Sequence, residues 1–136
     1  VPGDTLDAFA QRNRFGPVGF IKIDVEGHEL AVINGAATFL TTHRPLLLIE
    51  IEARHHQFPI ETIFARLETL GYCGYYVNPH DMTLLSVREF VVARDQAMQA
   101  LIERRFSHYL NNFFFVHHHH EANFVAHVRA YLATAT

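Results

Sequence analysis

Apolar and polar positions divide the chain into short strand-like runs and longer amphipathic stretches. Residues 20–23 and 46–51 are mainly apolar, rich in Ile and Leu, and too short for typical helices. Each run therefore predicts a buried strand that is covered on both faces. Residues 29–41 and 60–70 instead place apolar side chains at helical spacing. This alternation predicts a single α/β domain with a parallel sheet and right-handed crossovers.

Glycines predict where the two helical stretches end or break. Gly71 stands where a left-handed cap after the helix over 60–70 belongs. Gly35 predicts a local break inside 29–41 and close backbone packing there. Three further strands are expected over 72–77, 82–87 and 113–116. A first helix is expected over 5–12, capped by Thr5 with Leu6 and Phe9 inward, and a last helix from a cap at Asn123 to about Leu132. Between them, a helix is expected from a cap at Asp95 to about Leu110, and its inward residues would be Met98, Leu101, Ile102, Phe106 and Tyr109.

Acidic and histidine side chains lie at the carboxyl ends of the first two predicted strands. Asp24, Glu26 and His28 follow the first strand, and Glu50 and Glu52 lie at the end of the second. Ligands of open α/β sheets bind just beyond the carboxyl ends of the strands. We therefore expect two neighbouring parallel strands to bring these acids together at one edge of the sheet.

Three sequence blocks in this region resemble the FkbM family of S-adenosylmethionine-dependent methyltransferases. They are Lys-Ile-Asp-Val-Glu-Gly within 20–29, Asn-Gly-Ala within 30–37, and Arg-Pro…Glu within 44–51. The resemblance covers roughly residues 5–116 and is strongest over 20–51. We interpret the whole chain as one partial methyltransferase domain.

The resemblance implies a Rossmann-like class I methyltransferase sheet, of which this chain supplies the C-terminal half. Its strands would be the fourth to seventh of the family, mostly parallel with an antiparallel last strand. In the family, the main cofactor-binding loop is a glycine-rich turn after the first strand, and the seven glycines of this sequence form no such turn. The chain also begins with Val1 rather than Met. We therefore expect the N-terminal strands to be missing and this piece alone to be inactive.

The reaction that the resemblance implies is methyl transfer from S-adenosylmethionine to a hydroxyl of a sugar, polyketide or similar small acceptor. A neutral hydroxyl is a weak nucleophile, so the protein must align it and remove its proton. Asp24, Glu26 and His28 are the catalytic candidates, and Asp24 is also the cofactor-binding candidate. An imidazole with a pKa near ~6.5 accepts a proton at neutral pH, whereas a carboxylate needs burial to do so, which favours His28 as the base. Glu50 and His55 are the acceptor-binding candidates.

Other interpretations of the same residues stay open. In a purely structural one, Asp24 caps the helix that begins near Glu29, Glu26 offsets the helix dipole, and His28 faces solvent. The chain would otherwise be a non-catalytic remnant or interaction module of the same fold. A third alternative is a fragment of a magnesium-dependent nucleotide hydrolase, although the sequence has no Gly-x-x-x-x-Gly-Lys loop.

Composition narrows the classes of function and partner. The chain has 136 residues, 49% of them apolar, which supports one packed core. Its net charge of −3, with acids and bases interspersed, provides neither a basic stripe for nucleic acid nor a polybasic segment for lipid. No apolar run reaches the length of a membrane span.

Cysteine and histidine usage adds two expectations. Cys73 is the single cysteine, which suits a reducing cytoplasm, and its strand-like surroundings predict a small core residue rather than a nucleophile. The histidine run over 117–120 and the pair His55-His56 are interpreted as solvated segments with no native metal.

Overall fold

The protein, described by a computed structural model over residues 3–14, 16–102 and 109–134, is built on a five-stranded sheet with helices packed against it. Short 3₁₀ turns connect some of the elements. In chain order, the helices and strands are α1 (Leu6–Arg12), β1 (Phe20–Ile23), α2 (Glu29–Asn34), α3 (Ala37–His43), β2 (Leu46–Glu50), α4 (Glu61–Thr69), β3 (Tyr72–Asn78), β4 (Thr83–Ser86), α5 (Val92–Asp95), α6 (Met98–Ile102), β5 (Asn112–His117) and α7 (Glu121–Thr134).

The order of strands across the sheet is β1-β2-β5-β3-β4. β1 pairs with β2 in parallel, with Phe20 opposite Leu46 and Ile23 opposite Ile49. The last strand, β5, lies antiparallel between β2 and β3. The predicted parallel pair and the antiparallel last strand are therefore confirmed. The expectation of a mostly parallel sheet is wrong, because β1–β2 is the one parallel pair among the described strands and the pairs β2–β5, β5–β3 and β3–β4 are antiparallel.

The core lies between one face of the sheet and helices α2, α3 and α4. Leu47, Ile49 and Phe113 are fully buried on the central strands. Phe64 from α4 packs against the rings of Phe113 and Phe115, so this helix covers the middle of the sheet. On the other face, Phe124 of α7 contacts Phe114 of β5.

Several predicted helix ends are confirmed. Thr5 caps α1 by accepting a hydrogen bond from the backbone N–H of Ala8 at 3.1 Å. The break at Gly35 separates α2 from α3, and a Cβ at Gly35 would lie 3.1 Å from the Thr5 side chain, which explains the close packing. Gly71 follows α4 with a φ of +86°.

β1 is not covered on both faces as predicted. Ile23 is buried, but Lys22 is exposed and Phe20 is 54% exposed. The reason is that α7, the helix on the face to which Phe20 and Lys22 belong, packs against β4 and β5 rather than β1. Its alternating pattern places one face on the core and leaves the other accessible.

The predicted helix from Asp95 to Leu110 is confirmed over Met98–Ile102, where α6 lies, but its ends are wrong, because neither Asp95 nor residues 109–110 belong to α6. Asp95 ends α5 rather than capping a new helix, and its carboxylate accepts the backbone N–H of Val91 at 2.8 Å. The next residue, Gln96, is buried and donates to the carbonyl oxygens of Ile51 and Leu110 at 2.6 and 2.8 Å. Satisfying these buried backbone groups competes with continuing the helix. Residues 103–108 of the predicted helix, including Phe106, lie outside the described residues.

Some predicted core positions and one cap differ as well. α7 begins at Glu121, so Asn123 lies within its first turn instead of capping it. Phe9, Met98 and Ile102 are exposed rather than inward, whereas Tyr109 is buried as expected. In the described part of the chain, no helix combines the length and apolar character needed to cross a membrane.

Candidate functional site

Carboxylates from β1 and β2 meet at the carboxyl-terminal edge of these two parallel strands. Asp24 and Glu26 follow β1, while Glu50 and Glu52 end or follow β2, and His55 lies on the next turn. Together with Gly27 and Glu29 they line one small cleft, which we call the acidic cleft. The predicted convergence of acids from two strands is confirmed by this geometry.

Glu50 is the carboxylate whose proton affinity the site increases. Burial raises the pKa of Glu50 above its ordinary value, and the negative charges of Asp24, Glu52 and, less strongly, Glu26 raise it further, while Lys22 opposes them. Its Oε1 accepts a hydrogen bond from Asn111 Nδ2 at 2.7 Å. A carboxylate held in place with a raised pKa has the properties of a general base.

Asp24 does not cap a helix. Its Oδ2 lies 3.0 Å from Lys22 Nζ, and the hydrogen bond and charge of Asp24 raise the pKa of Lys22. Helix α2 starts at Glu29, and its N-cap, His28, makes no side-chain capping bond. The capping interpretation of Asp24 is therefore wrong, and its carboxylate remains at the mouth of the acidic cleft.

Glu52 is held by a different set of partners. Arg54 donates to both its oxygens, from Nε at 2.6 Å and Nη2 at 3.2 Å, and the Tyr109 hydroxyl donates at 2.9 Å. Burial alone would raise the pKa of Glu52, but the bonds from Arg54 and Tyr109 outweigh it and lower the pKa. Glu52 thus stays ionised beside Glu50, which sustains the raised pKa of Glu50.

A left-handed turn leads from β1 to α2 and forms the floor of the cleft. Glu26 has a φ of +44° and Gly27 a φ of +94°. The backbone N–H of Gly27 donates to Glu29 Oε1 at 3.1 Å, so the first residue of α2 holds the turn that precedes it. The strain at Glu26 is a local cost that this bond helps to offset.

Glu29 and His56 form a buried pair behind this turn. The Glu29 side chain is 2% exposed and the His56 side chain is fully enclosed, with Nε2 3.0 Å from Glu29 Oε2. The two groups are not aligned for a good hydrogen bond, and His56 Nδ1 has no hydrogen-bond partner in the described part of the chain. The expectation that His56 belongs to a solvated segment is wrong, because its ring packs inward against Phe58.

The turn has no room for a side chain at Gly27. A Cβ there would lie 2.7 Å from the backbone oxygen of His55 and would adopt an unfavourable φ. We expect Gly27→Ala to lower the free energy of unfolding by about 1–3 kcal/mol, measured by urea titration. Gly19→Ala is the matched control, since its Cβ would meet nothing within 4 Å. Equal stability of the two variants would contradict this account of the turn.

Two of the predicted site residues occupy different environments. His55 lines the acidic cleft, where it stays a candidate for binding an acceptor. His28 is exposed at the start of α2 and is not among the residues that line the cleft. Its role as a base stays a prediction, and the geometry favours Glu50 for that task.

The space at this edge determines which ligands the described residues fit. The acidic cleft has a volume of only about 10 Å³. Beside it, an apolar groove of about 340 Å³ runs along β1 and includes Ile21, Val25, Val32 and Asp24. Neither space has the glycine-rich backbone cradle that a nucleotide-like cofactor requires. The described residues therefore do not by themselves form a site that fits S-adenosylmethionine.

Cys73 and the histidine run lie away from the acidic cleft. Cys73 is half-buried and lies outside the core, so the prediction of a core residue is wrong, but burial raises its pKa to about 11, so the group remains a thiol rather than a nucleophilic thiolate. His117 is buried against the Tyr72 ring, and burial lowers its pKa to about 4. The interpretation of the run as wholly solvated is wrong at this position, although the side chains of His118–His120 are exposed.

The comparison with known families agrees with the sequence blocks and the acidic cleft. Residues 1–77, more than half of the chain, match the family model of the methyltransferase FkbM domain. The matched segment includes β1, β2 and the turns that bring the four carboxylates together. No curated protein and no solved structure matches the chain. The resemblance predicted from the sequence is confirmed, and the chain belongs to the FkbM family of methyltransferases.

Proposed function

We propose that this chain forms part of an S-adenosylmethionine-dependent methyltransferase that methylates a hydroxyl of a sugar, polyketide or similar small molecule. The observation that carries the proposal is the acidic cleft, where Glu50 has a raised pKa within a matched FkbM domain. Activation of a hydroxyl requires a proton acceptor of this kind. We place the reaction in the cytoplasm, because a chain with the single cysteine Cys73 is suited to a reducing compartment.

The strand order supports a C-terminal half of a Rossmann-like sheet. β1, β2 and β3 run in one direction, and β5 inserts between β2 and β3 in the opposite one. This agrees with the fourth to seventh strands that the family resemblance implies, with an antiparallel last strand. The cofactor loop would then lie on strands that precede β1, which accounts for the poor fit of the described residues to the cofactor.

Within this proposal, each residue of the cleft has a distinct task. Asn111 fixes one oxygen of Glu50, and the second oxygen accepts the proton of the acceptor hydroxyl. Asp24, steadied by Lys22, orients the acceptor and keeps the pKa of Glu50 high. The cleft, with a volume of about 10 Å³, has room for one hydroxyl, so only that group of the acceptor enters it, and His55 contacts the acceptor there. The S-adenosylmethionine that the resemblance implies would supply the methyl group.

Transfer of a radiolabelled methyl group tests this function. The natural full-length protein is incubated with labelled S-adenosylmethionine and pairs of acceptors that differ by one hydroxyl, such as a sugar and its deoxy counterpart. We expect label in the hydroxyl compound of at least one pair and none in its counterpart. Calorimetry with S-adenosylhomocysteine reports cofactor binding separately. Absence of both transfer and binding in the natural full-length protein would overturn the proposal and favour a non-catalytic interaction module.

A further inference from the structure

We propose that His117, His118 and His119 form a binding site for a divalent metal ion of the zinc class. One ligand nitrogen from each of the three side chains lies within 4.8 Å of the others. They sit where β5 ends and a 3₁₀ turn leads into α7, remote in sequence from the residues of the acidic cleft. This site replaces the interpretation of the run as a segment without a native metal, and it is independent of the proposed methyl transfer.

The distance between two of the nitrogens matches the spacing of zinc ligands. Nδ1 of His117 and Nδ1 of His119 are 3.2 Å apart. In a tetrahedral zinc site with Zn–N distances of about 2.0–2.1 Å, neighbouring ligand nitrogens are about 3.4 Å apart. An ion can therefore bind between these two rings with little movement of the backbone.

Hydrogen bonds to the rings show which nitrogens carry lone pairs. His117 Nδ1 accepts the backbone N–H of His119 at 3.4 Å, so this nitrogen is unprotonated. His119 needs only to shift its ring proton to Nε2, which leaves its charge unchanged. The hydrogen bond from the His119 backbone N–H to His117 Nδ1 is long, so little stabilisation is lost when an ion replaces it at Nδ1.

His118 has the outer partner that metal-bound histidines commonly use. Its Nδ1 lies 3.1 Å from the carbonyl oxygen of Gly71, and the backbone N–H of His118 donates to the same oxygen at 2.9 Å. A carbonyl oxygen only accepts, so Nδ1 holds the ring proton and Nε2 is left as the ligand atom. A ring N–H bonded to a backbone carbonyl fixes the tautomer and orientation of a metal ligand.

The position of Gly71 brings the rings together. A Cβ at Gly71 would lie 2.9 Å from His117 Nε2 and 3.1 Å from His118 Nδ1. The absence of a side chain therefore lets both rings pack over the turn between α4 and β3. A bound ion would tie the end of β5 and the start of α7 to this turn.

One nearby charge opposes binding of a cation. The guanidinium of Arg44 acts electrostatically on both His117 and His119. We therefore expect Arg44→Gln to tighten metal binding, whereas removing a ligand weakens it. These opposite effects distinguish a defined metal site from non-specific binding of the ion by exposed histidines.

Titration of the metal-free protein with Zn²⁺ by calorimetry tests the site, and Co²⁺ absorption reports its geometry. We expect one ion per chain, a visible spectrum typical of four-coordinate Co²⁺, and a higher Tm with Zn²⁺. Loss of one outer partner costs 10–100-fold in affinity, so His119→Ala, which removes a ligand, is expected to cost about 100-fold or more. His119 is exposed, so this variant should fold even where His117→Ala does not.

His120→Ala is the matched control, because His120 is the next exposed histidine and lies outside the group of three. Its Zn²⁺ affinity should equal that of the unchanged protein. If His119→Ala and His120→Ala weaken binding equally, the run binds metal only as a string of histidines and the proposal fails. It also fails if the unchanged protein takes up no Zn²⁺.

Discussion

Glu50→Gln is expected to lower kcat for methyl transfer by about 10²–10⁴-fold, the range typical of losing a general base. Glutamine keeps an oxygen that accepts the hydrogen bond from Asn111, so the position of the side chain is preserved. Only the capacity to take a proton is lost. Steady-state rates with the hydroxyl acceptor found in the transfer assay provide the measurement.

The pH dependence separates Glu50 from its neighbour Asp24 as the base. Because burial and Asp24 raise the pKa of Glu50, kcat should rise with pH through a value above the ordinary pKa of a glutamate. Asp24→Asn removes one of the negative charges that raise the pKa of Glu50. The rise of kcat should therefore move to lower pH, while substantial activity remains. If Asp24→Asn abolishes turnover and Glu50→Gln does not, the base has been assigned to the wrong residue. Glu61→Gln, at an exposed position of α4, is the control.

Glu50→Gln is expected to lower activity but to raise the stability of the folded protein at pH 7. A carboxyl whose pKa is raised on folding favours the folded state at low pH, and this contribution is lost as the pH rises through the raised value. Glu50→Gln should therefore unfold at a higher urea concentration than the unchanged protein at pH 7. The difference should vanish below about pH 4, near the ordinary pKa of a glutamate. Reduced activity with increased stability would distinguish a functional carboxylate from a structural one.

The sequence predicted the strands and the meeting of acids because both depend on local pattern. Short apolar runs over 20–23 and 46–51 are fixed as strands by their length and composition, and parallel pairing then places Asp24 and Glu50 at one edge. Gly71 likewise follows a helical pattern directly, which predicts a left-handed cap, and its φ is +86°. These features require no knowledge of which distant residues pack together.

Features that depend on tertiary partners could not be predicted in this way. Gln96 lies between α5 and α6, where the sequence predicts one helix from Asp95, and its side chain donates hydrogen bonds to carbonyl groups 14 and 45 residues away. His56 looks like half of an exposed histidine pair until the fold encloses it beside Glu29. The histidine run was expected to be a solvated segment, but the chain turns after His117 and brings ring nitrogens of three histidines within 4.8 Å of one another.

Glu29→Ala is expected to lower the free energy of unfolding by about 3 kcal/mol or more, the largest stability effect predicted outside the apolar core. The substitution removes the acceptor of the Gly27 N–H and leaves the enclosed ring of His56 without its polar contact. Truncation at a fully buried position also opens a cavity. Urea unfolding monitored by circular dichroism measures the loss, and Glu61→Ala, at an exposed glutamate, should cost less than about 0.5 kcal/mol.

Companion variants show which contact of Glu29 matters. Glu29→Gln retains an oxygen for the Gly27 N–H and an N–H that can donate to His56, so it should lose less stability than Glu29→Ala. If the two side chains stabilise each other, the double variant Glu29→Ala/His56→Ala should lose less than the sum of the single losses. A loss below about 1 kcal/mol for Glu29→Ala would contradict this account. Because Glu29 also holds the turn at Gly27, its loss should displace the acidic cleft, to which this turn contributes Gly27, and so lower the proposed methyl transfer as well.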